Sequence, residues 1–300
     1  MNILKTTIFI NLLLAFQIGS AQDLLAFLDS TAEPQKTFVE GTFRSVRMVN
    51  GYSSETAGKK DLVFSITHRF GPVNGGSYEF FGLDEANIRF GFEYGFTDRF
   101  SAGLGRSNFE KLYDGFIKYK LIKQSTGSTG FPITLTLKEG MEIKTLHWDN
   151  PNLDYPQTAK YTYTHTLFIA RKFSKRFSAQ IVPVIIHRNM VDSAANQNVV
   201  GAIGLGGNYT VNHWLSFSGE YYHLLPGNTA DLFNNSLSFG MDIESGGGHL
   251  FQIQVSNSRG MTEKQFVPQT YGDWLEGDFR IGFNIIRVFH LKKKKHAPKK

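Results

Sequence analysis

The fold of this chain is decided by the stretch Asn87-Ile88-Arg89-Phe90-Gly91-Phe92-Glu93-Tyr94-Gly95-Phe96. In an extended strand, neighbouring side chains point to opposite faces of the sheet. Every second residue from Ile88 to Phe96 is therefore apolar on one face, whereas Arg89 and Glu93 lie on the other face. A strand of this kind predicts a sheet that separates an apolar environment from a polar one.

The same alternation recurs in about a dozen segments, and the connections between them alternate in length. Short turns such as 97–99 and 211–213 are followed by longer loops, as in membrane barrels whose short turns lie in the periplasm. Because both chain ends of such a barrel lie on one side, the strand number is even. Twelve strands are predicted, and fourteen is the alternative if one strand lies within 258–277. The predicted strands are 62–70, 87–96, 100–106, 112–122, 132–145, 160–172, 177–188, 199–211, 214–225, 236–244, 249–257 and 278–289.

The strand 177–188 fits the alternation least well. Val182, Val184 and Ile186 share a face with Ser178 and Gln180, so one face is apolar at one end and polar at the other. We assign it as a strand because of its neighbours rather than its own pattern.

Composition favours a membrane protein over a soluble one. Charged residues make up 19% of the chain, below the roughly 25% of soluble domains, and there are 27 Phe and 12 Tyr but no Cys. A soluble antiparallel sandwich or a lipocalin-like barrel would also alternate, with its apolar face inside. The predicted fold class is an all-β, transmembrane, antiparallel up-and-down β-barrel.

Four regions are predicted along the chain. Residues 1–21 read as a signal peptide, with Lys5 before an apolar run and the small residues Gly19-Ser20-Ala21 at its end. Residues 22–61 are a periplasmic leader or a plug, residues 62–290 the barrel, and residues 291–300 a basic tail. The formal charge of +6 comes from Lys5 and this lysine tail, so the barrel itself is close to neutral. The predicted location is the outer membrane of a Gram-negative bacterium.

Residues 62–121 also resemble a known family. The stretches that carry the resemblance are His68-Arg69-Phe70-Gly71, Gly82-Leu83-Asp84, Tyr94-Gly95-Phe96-Thr97-Asp98-Arg99 and Gly103-Leu104-Gly105-Arg106-Ser107. They are similar to those of an outer-membrane β-barrel family from Bacteroidota, a domain of unknown function. The resemblance implies a location and a fold, but no reaction and no ligand.

The candidate site residues are charged side chains on the predicted inner face. In an open barrel they would set the selectivity of a pore, and in a plugged barrel they would form a buried network of ion pairs. At the rim, Arg69 with Asp84 and Glu85 could form an anion gate, or could only anchor a loop. The lumen candidates are Arg69, Arg89, Glu93, Lys118, Lys138 and Arg280, and the rim candidates are His68 and Asp84.

Three functions remain open from the sequence. The first is a narrow channel or binding barrel for small polar solutes, and the second is a plugged accessory barrel that holds a periplasmic or outer-membrane protein partner. The third, a lipid-modifying enzyme, is disfavoured because the chain has no His-x-Ser pair and no Gly-x-Ser-x-Gly elbow. We predict no enzyme activity, no metal site and no cofactor. Outer-membrane lipid is the expected environment, and nucleic acid is not an expected partner.

Overall fold

The computed structural model describes residues 35–148, 150 and 152–291, and residues 61–290 form a closed barrel of twelve antiparallel strands. The predicted fold class and strand number are confirmed, and the predicted strand ends agree to within about two residues. The predicted signal peptide and the lysines of the tail lie outside the described residues. The strands are β1 Asp61–Pro72, β2 Ala86–Gly95, β3 Phe100–Ser107, β4 Leu112–Ile122, β5 Thr134–Lys144, β6 Tyr161–Lys172, β7 Phe177–Arg188, β8 Val199–Thr210, β9 Leu215–Leu224, β10 Ser236–Ser245, β11 His249–Ser256 and β12 Arg280–His290.

The barrel closes through pairing of its last strand with its first. His290 of β12 lies opposite Asp61 of β1, and Phe283 lies opposite His68. Both ends of the barrel domain therefore lie at one edge, together with the short connections 96–99, 173–176, 211–214 and 246–248. We call this edge the short-turn rim and the opposite edge the loop rim. By the usual orientation of such barrels, the short-turn rim faces the periplasm.

The apolar face of the sheet points outward. On β2 the side chain of Phe92 is 49% exposed, whereas its neighbours in the alternation Arg89 and Glu93 are 1% and 4% exposed. The arrangement is the inverse of a soluble barrel, and it matches a sheet surrounded by lipid. Aromatic rings such as the Phe96–Phe100 and Phe173–Phe177 pairs surround the short-turn rim, where an interfacial aromatic girdle is expected.

Short helical turns occupy the connections at the loop rim. Within the described residues, no helix has the length and apolarity needed to cross a membrane. The turns are 3-10 segments at Val73–Gly82, Phe109–Lys111 and Gln157–Lys160, and α-helical turns α1 Asn228–Leu232 and α2 Glu263–Phe266.

Two segments of the chain fill the lumen. Residues 42–58, here called the plug, enter from the short-turn rim, and Gly41 at φ +52° turns the chain inward. Residues 257–279, here called the outer loop, fold back into the barrel from the loop rim. Before the plug, Thr37–Phe38 pairs with Ser125–Thr126 in a small second sheet. This pairing explains why the connection 123–133 is longer than the other turns of its rim.

Candidate functional site

The plug is a tight hairpin inside the barrel. The N–H of Met48 donates to the carbonyl of Gly51 at 2.9 Å, and the N–H of Ser53 donates to the carbonyl of Val46 at 2.9 Å. Val49 and Asn50 at its tip are fully buried. A Cβ at Gly51 would collide with the Tyr222 hydroxyl. Only glycine therefore fits at this point of the hairpin.

One carboxylate of the wall binds the hairpin tip. Glu220 of β9 accepts hydrogen bonds from three consecutive main-chain N–H groups, those of Val49 at 3.4 Å, Asn50, and Gly51 at 3.1 Å. Three donors converging on one anion form a strong arrangement, because hydrogen bonds to a charged acceptor are stronger than neutral ones. The tip is thus held by its main chain, and the Asn50 side chain adds hydrogen bonds to Ser238 at 2.9 Å, to Ser256 at 3.1 Å and to Arg69.

Other wall side chains bind the rest of the plug main chain. Gln180 of β7 donates to the carbonyl of Tyr52 at 2.9 Å and accepts from the N–H of Ser54 at 3.1 Å. The remaining contacts come from five further strands, so the plug is surrounded on nearly all sides. They join Gln252 to Met48 at 2.7 Å, Asn284 to Val49 at 3.0 Å, Thr136 to Ser54 at 2.8 Å, Glu93 to Ala57 at 3.1 Å, and Lys118 to the carbonyl of Glu55.

The phenol ring of Tyr52 lies among cations. Lys138 and Lys118 lie 5.0 and 5.3 Å from the ring centroid, and Arg47 of the plug lies 4.6 Å from it. Arg89 donates to the Tyr52 hydroxyl at 3.2 Å. Cations at these distances are attracted to the face of an aromatic ring, more strongly where water is excluded. The site around Tyr52 is an aromatic subsite with a positive wall.

Glu55 joins the lower part of the plug to β4. Its carboxylate lies 2.8 Å from Lys120 and accepts the N–H of Thr42 at 2.7 Å. Burial would raise the pKa of Glu55, but Lys120 and these hydrogen bonds outweigh burial and hold the pKa below its ordinary value. The carboxylate is therefore charged at neutral pH.

The predicted lumen residues face the interior. Arg69, Arg89, Glu93, Lys118 and Lys138 are buried, and Arg280 is half-buried near the loop rim, where it donates to the carbonyl of Asn257 at 3.1 Å. Four of them take part in three interior ion pairs, with Arg89 on Asp114, Lys118 4.0 Å from Glu93, and Lys138 2.8 Å from Glu263. Their role in selectivity stays a prediction. In the described conformation they line a filled lumen, because Lys118 and Arg69 expose 0% of their surface.

The rim gate suggested by the sequence is not formed by the described residues. The guanidinium of Arg69 contacts Asn50, Gln254 at 3.0 Å and the carbonyl of Ser258 at 2.6 Å. Asp84 is exposed in the loop, and Glu85 lies 3.8 Å from Arg259 of the outer loop instead. The alternation explains this, because it points Arg69 inward, where the plug tip occupies its donors. His68 points outward and stacks on Phe283 at 4.8 Å.

A separate set of ion pairs and hydrogen bonds holds the outer loop inside the barrel. Besides Lys138–Glu263, the Thr262 hydroxyl donates to Glu142 at 2.6 Å, and Lys264 lies 2.9 Å from Glu110. Burial would raise the pKa of Glu110, but Lys264 and Lys144 outweigh it and hold the pKa below its ordinary value. The loop thus brings Glu263 to Lys138 of the wall and Lys264 to Glu110 in the turn between β3 and β4.

An apolar cluster inside the barrel also holds the outer loop. Phe266 and Val267 pack against inward-facing aliphatic residues of β7 to β9, and the Phe266 ring lies 5.0 Å from Tyr222. This cluster explains the irregular strand 177–188, whose apolar residues face a loop rather than water. The signal was visible in the sequence, since an apolar inner face implies an apolar occupant. The wall residues are Val182, Val184, Ile186, Val200, Ala202 and Leu224.

A small cavity remains between the plug and the wall at the short-turn rim. Its volume is about 240 Å³, and it lies beside the Arg44–Glu244 pair at 3.2 Å. Within the described residues, no group of three or more acidic or histidine side chains could hold a metal ion.

Comparison with known proteins decides the family. The family described as a membrane bound beta barrel domain (DUF5777) matches residues 43–289. The chain belongs to this family. The match includes the plug hairpin as well as all twelve strands, so the DUF5777 domain comprises both. A barrel with an even number of antiparallel strands and an apolar outer band is of the outer-membrane type, which places this DUF5777 protein in an outer membrane.

Solved structures similar to this DUF5777 barrel include porins and channels. The NanC porin aligns with a TM-score of 0.48 at 9% identity, covering 76% of this chain and 98% of the porin. The KdgM porin aligns at 0.47 and 8% identity, over 76% and 99% of the two chains. An outer membrane channel from Pseudomonas putida F1 aligns at 0.48 and 13% identity, over 79% and 98%. No curated protein matches the chain significantly.

Proposed function

We propose that this protein is a channel for small polar solutes that the plug closes in the described conformation. The observation that supports the proposal is the way the plug is held. Polar side chains of the wall bind it through hydrogen bonds that water could replace. Only one end of the plug, at Lys60–Asp61, continues into the barrel wall.

The outer loop is a less suitable gate. Both of its ends continue into strands, β11 and β12, and its apolar contacts would be exposed to water on opening. Water cannot replace an apolar contact, so opening of the loop would lose the free energy of apolar burial. We therefore expect movement of the plug toward the periplasm to cost less free energy than opening of the outer loop.

Withdrawal of the plug would clear a polar passage along one side of the barrel. The plug reaches from Thr134 at the short-turn rim to Arg69 and Ser256 near the loop rim. Its departure would leave Glu220, Gln252 and Asn284 facing water. Twelve strands enclose enough space for a narrow channel when the interior is not filled.

A disulfide lock tests this proposal. The hydroxyls of Thr42 and Thr134 lie 3.5 Å apart across the base of the plug, and the chain has no cysteine of its own. In the variant Thr42→Cys/Thr134→Cys, we expect oxidation to abolish channel openings in a planar bilayer and a reductant to restore them. Each single-cysteine variant serves as a control that must respond to neither treatment.

Openings that persist in the oxidised double variant would contradict a moving plug. Complete absence of conductance from the reduced protein and from variants that weaken the plug would contradict the channel itself. The second candidate function would then be favoured, a plugged accessory barrel that holds a protein partner. The apolar cluster around Phe266 supports this second function, because it makes part of the interior resemble the core of a soluble protein.

A non-enzymatic role is part of the proposal. His165 faces outward with its Nδ1 2.5 Å from Glu139, but Ile185 of β7 lies opposite it rather than a serine. The resemblance of residues 62–121 further supports a Bacteroidota outer membrane as the location. As selectivity residues we propose Lys118 and Lys138, which adjoin the volume that Tyr52 of the plug now occupies.

A further inference from the structure

We propose that the lumen is built to bind peptide main chain, so that the solutes of the channel are short peptides and the plug is an internal substitute for them. This inference rests on the proposed channel function and names its solute class. It is drawn from the atoms of the plug that the wall recognises.

The wall contacts main-chain atoms along most of the hairpin. From Met48 to Ala57, eight residues have an N–H or a carbonyl bound by a wall side chain. Donors and acceptors of the wall are matched to them, with amide side chains and Thr136 on carbonyls, and Glu93 and Glu220 on N–H groups. The residues so bound are Met48, Val49, Asn50, Gly51, Tyr52, Ser54, Glu55 and Ala57.

A segment that only closes the lumen does not need side chains of the wall to pair its main chain. Buried main-chain groups must be paired, but a helix or a longer hairpin would pair them within the segment itself. Here only two hydrogen bonds join main-chain groups within the described hairpin, Val46–Ser53 and Met48–Gly51, and plug side chains such as Glu55 and Arg47 bind a few more. Most of the pairing is supplied by seven side chains on seven different strands, an arrangement that another peptide could use equally well.

The strongest of these contacts distinguishes a peptide from a sugar. Glu220 receives three N–H donors from three successive residues, a spacing that the peptide backbone provides and the hydroxyls of a sugar ring do not reproduce. Glu220 is itself 4% exposed, so it depends on those donors for its hydrogen bonds. When the plug leaves, the carboxylate must take either water or an equivalent set of N–H groups.

The aromatic subsite gives the same wall some side-chain preference. Tyr52 packs on Phe116 at a centroid distance of 4.8 Å, and Lys118 and Lys138 lie over its ring. A peptide with one aromatic residue would fill this space as Tyr52 does. The Asn50 side chain also hydrogen-bonds Ser238, Ser256 and Arg69, so we expect a preference for an amide or another small polar residue two positions before the aromatic one.

Binding of a synthetic peptide to a variant with a weakened plug tests the proposal without depending on conductance. The protein is full-length Gly51→Val, and the probe is a peptide with the sequence of residues 42–58, titrated by calorimetry in detergent micelles. The matched control peptide is methylated at the main-chain nitrogens of Asn50 and Gly51. Each hydrogen bond lost to a charged acceptor costs enough to expect a reduction in affinity of roughly tenfold or more.

Three results separate this inference from the channel proposal. Saturable binding that N-methylation and Glu220→Gln both weaken supports the peptide site, even if no current is seen. A conducting variant that binds neither peptide, or binds both equally, overturns the peptide site and leaves the channel standing. As a second variant in case Gly51→Val does not fold, Asn50→Ala/Tyr52→Ala removes plug side chains without adding bulk, and its failure to bind would overturn the inference as well.

Permeation gives an independent measurement of the same idea. In liposomes containing the Gly51→Val protein, we expect a short neutral peptide to enter several-fold faster than a trisaccharide of similar mass. Equal rates of entry would contradict a lumen matched to peptide main chain. Entry of neither solute, together with absence of current, would count against the channel rather than against peptide binding measured by calorimetry.

Discussion

The plug and the outer loop fill the same lumen, but the balance between polar and apolar contacts differs between them. Hydrogen bonds from wall side chains bind most of the plug main chain, and small apolar clusters such as Phe43 and Met48 with Ala170 add to them. Only its C-terminal end continues into a barrel strand, and its N-terminal end is joined to the barrel by the short pairing of Thr37–Phe38 with Ser125–Thr126. The outer loop is tied at both ends, and an apolar cluster around Phe266 and the Lys138–Glu263 pair hold it. Polar contacts can be exchanged for water at small net cost, whereas apolar burial cannot. Under the proposed channel function, we expect the plug to move and the outer loop to stay in place.

Of the variants that test this comparison, we expect Gly51→Val to have the largest effect on conductance. A side chain at this position has no space beside Tyr222 and Glu220, so it destabilises the closed plug. Overpacking costs about 1–3 kcal/mol, which would raise the open fraction roughly 5- to 150-fold. The measurement is the open probability in planar bilayers, with the barrel fold checked by its heat-dependent mobility on gels.

Gly246→Val is the matched control for that variant. Gly246 lies in a short turn where a Cβ meets no atom within 4 Å. We expect the conductance of the control to equal that of the parent. An equal rise in both variants, or in neither, would remove the distinction between the two lumen segments.

Phe266→Ala should affect stability rather than conductance. Truncation of a fully buried Phe costs about 3–5 kcal/mol of unfolding free energy, and the plug would still close the lumen. Urea unfolding in lipid vesicles measures the loss, and limited proteolysis reports release of the outer loop. Tyr271→Ala, which alters an exposed ring of the same loop, should change neither. A large current from Phe266→Ala with unchanged stability would reverse the roles of the two segments.

The smallest predicted effect is a response to acid. The pKa values of Glu55 and Glu110 are held below their ordinary range, so their stabilising contribution is present at neutral pH and falls only as the pH drops through those lowered values. We expect the contribution of Glu55 to the closed state to be lost below about pH 4, with a several-fold rise in conductance there. Bilayer recordings at neutral and acidic pH measure the response.

Single carboxylate variants assign the acid response to one segment. Glu55→Gln should raise conductance at neutral pH and flatten the profile, whereas Glu110→Gln should loosen only the outer loop. Glu40→Gln, at an exposed position before the plug, is the control. A pH dependence of conductance that changes in Glu110→Gln but not in Glu55→Gln would identify the outer loop as the gate.

Much of the barrel could be predicted from local sequence. The alternation in 87–96 assigns Arg89 and Glu93 to the inner face without knowledge of the rest of the chain, and the structure places both there. The apolar face of 177–188 was also readable, but its meaning was not. Its partners Phe266 and Val267 lie far along the chain, in a segment with no strand pattern.

The anion gate suggested for Arg69 is not formed by the described residues, because here too the tertiary structure decides the partners of the side chain. Asp84 and Glu85 belong to the loop that follows the strand of Arg69, whereas its partners are Asn50 in the plug before that strand and Gln254 on β11. Sequence spacing could place Arg69 on the inner face, but it could not show that a hairpin from the N-terminal side occupies its donors.

The sequence by itself determined the approximate strands and the residues that share each face of the sheet, because side-chain alternation is a local property with a period of two residues. It favoured twelve strands over fourteen and an outward apolar face, and the structure confirms both. Only the tertiary structure decided that the lumen is filled and by which segments. That result depends on contacts such as Glu220 with the main chain of Asn50 and Gly51. Because main-chain atoms are the same in nearly every residue, no pattern of side chains could have predicted those contacts.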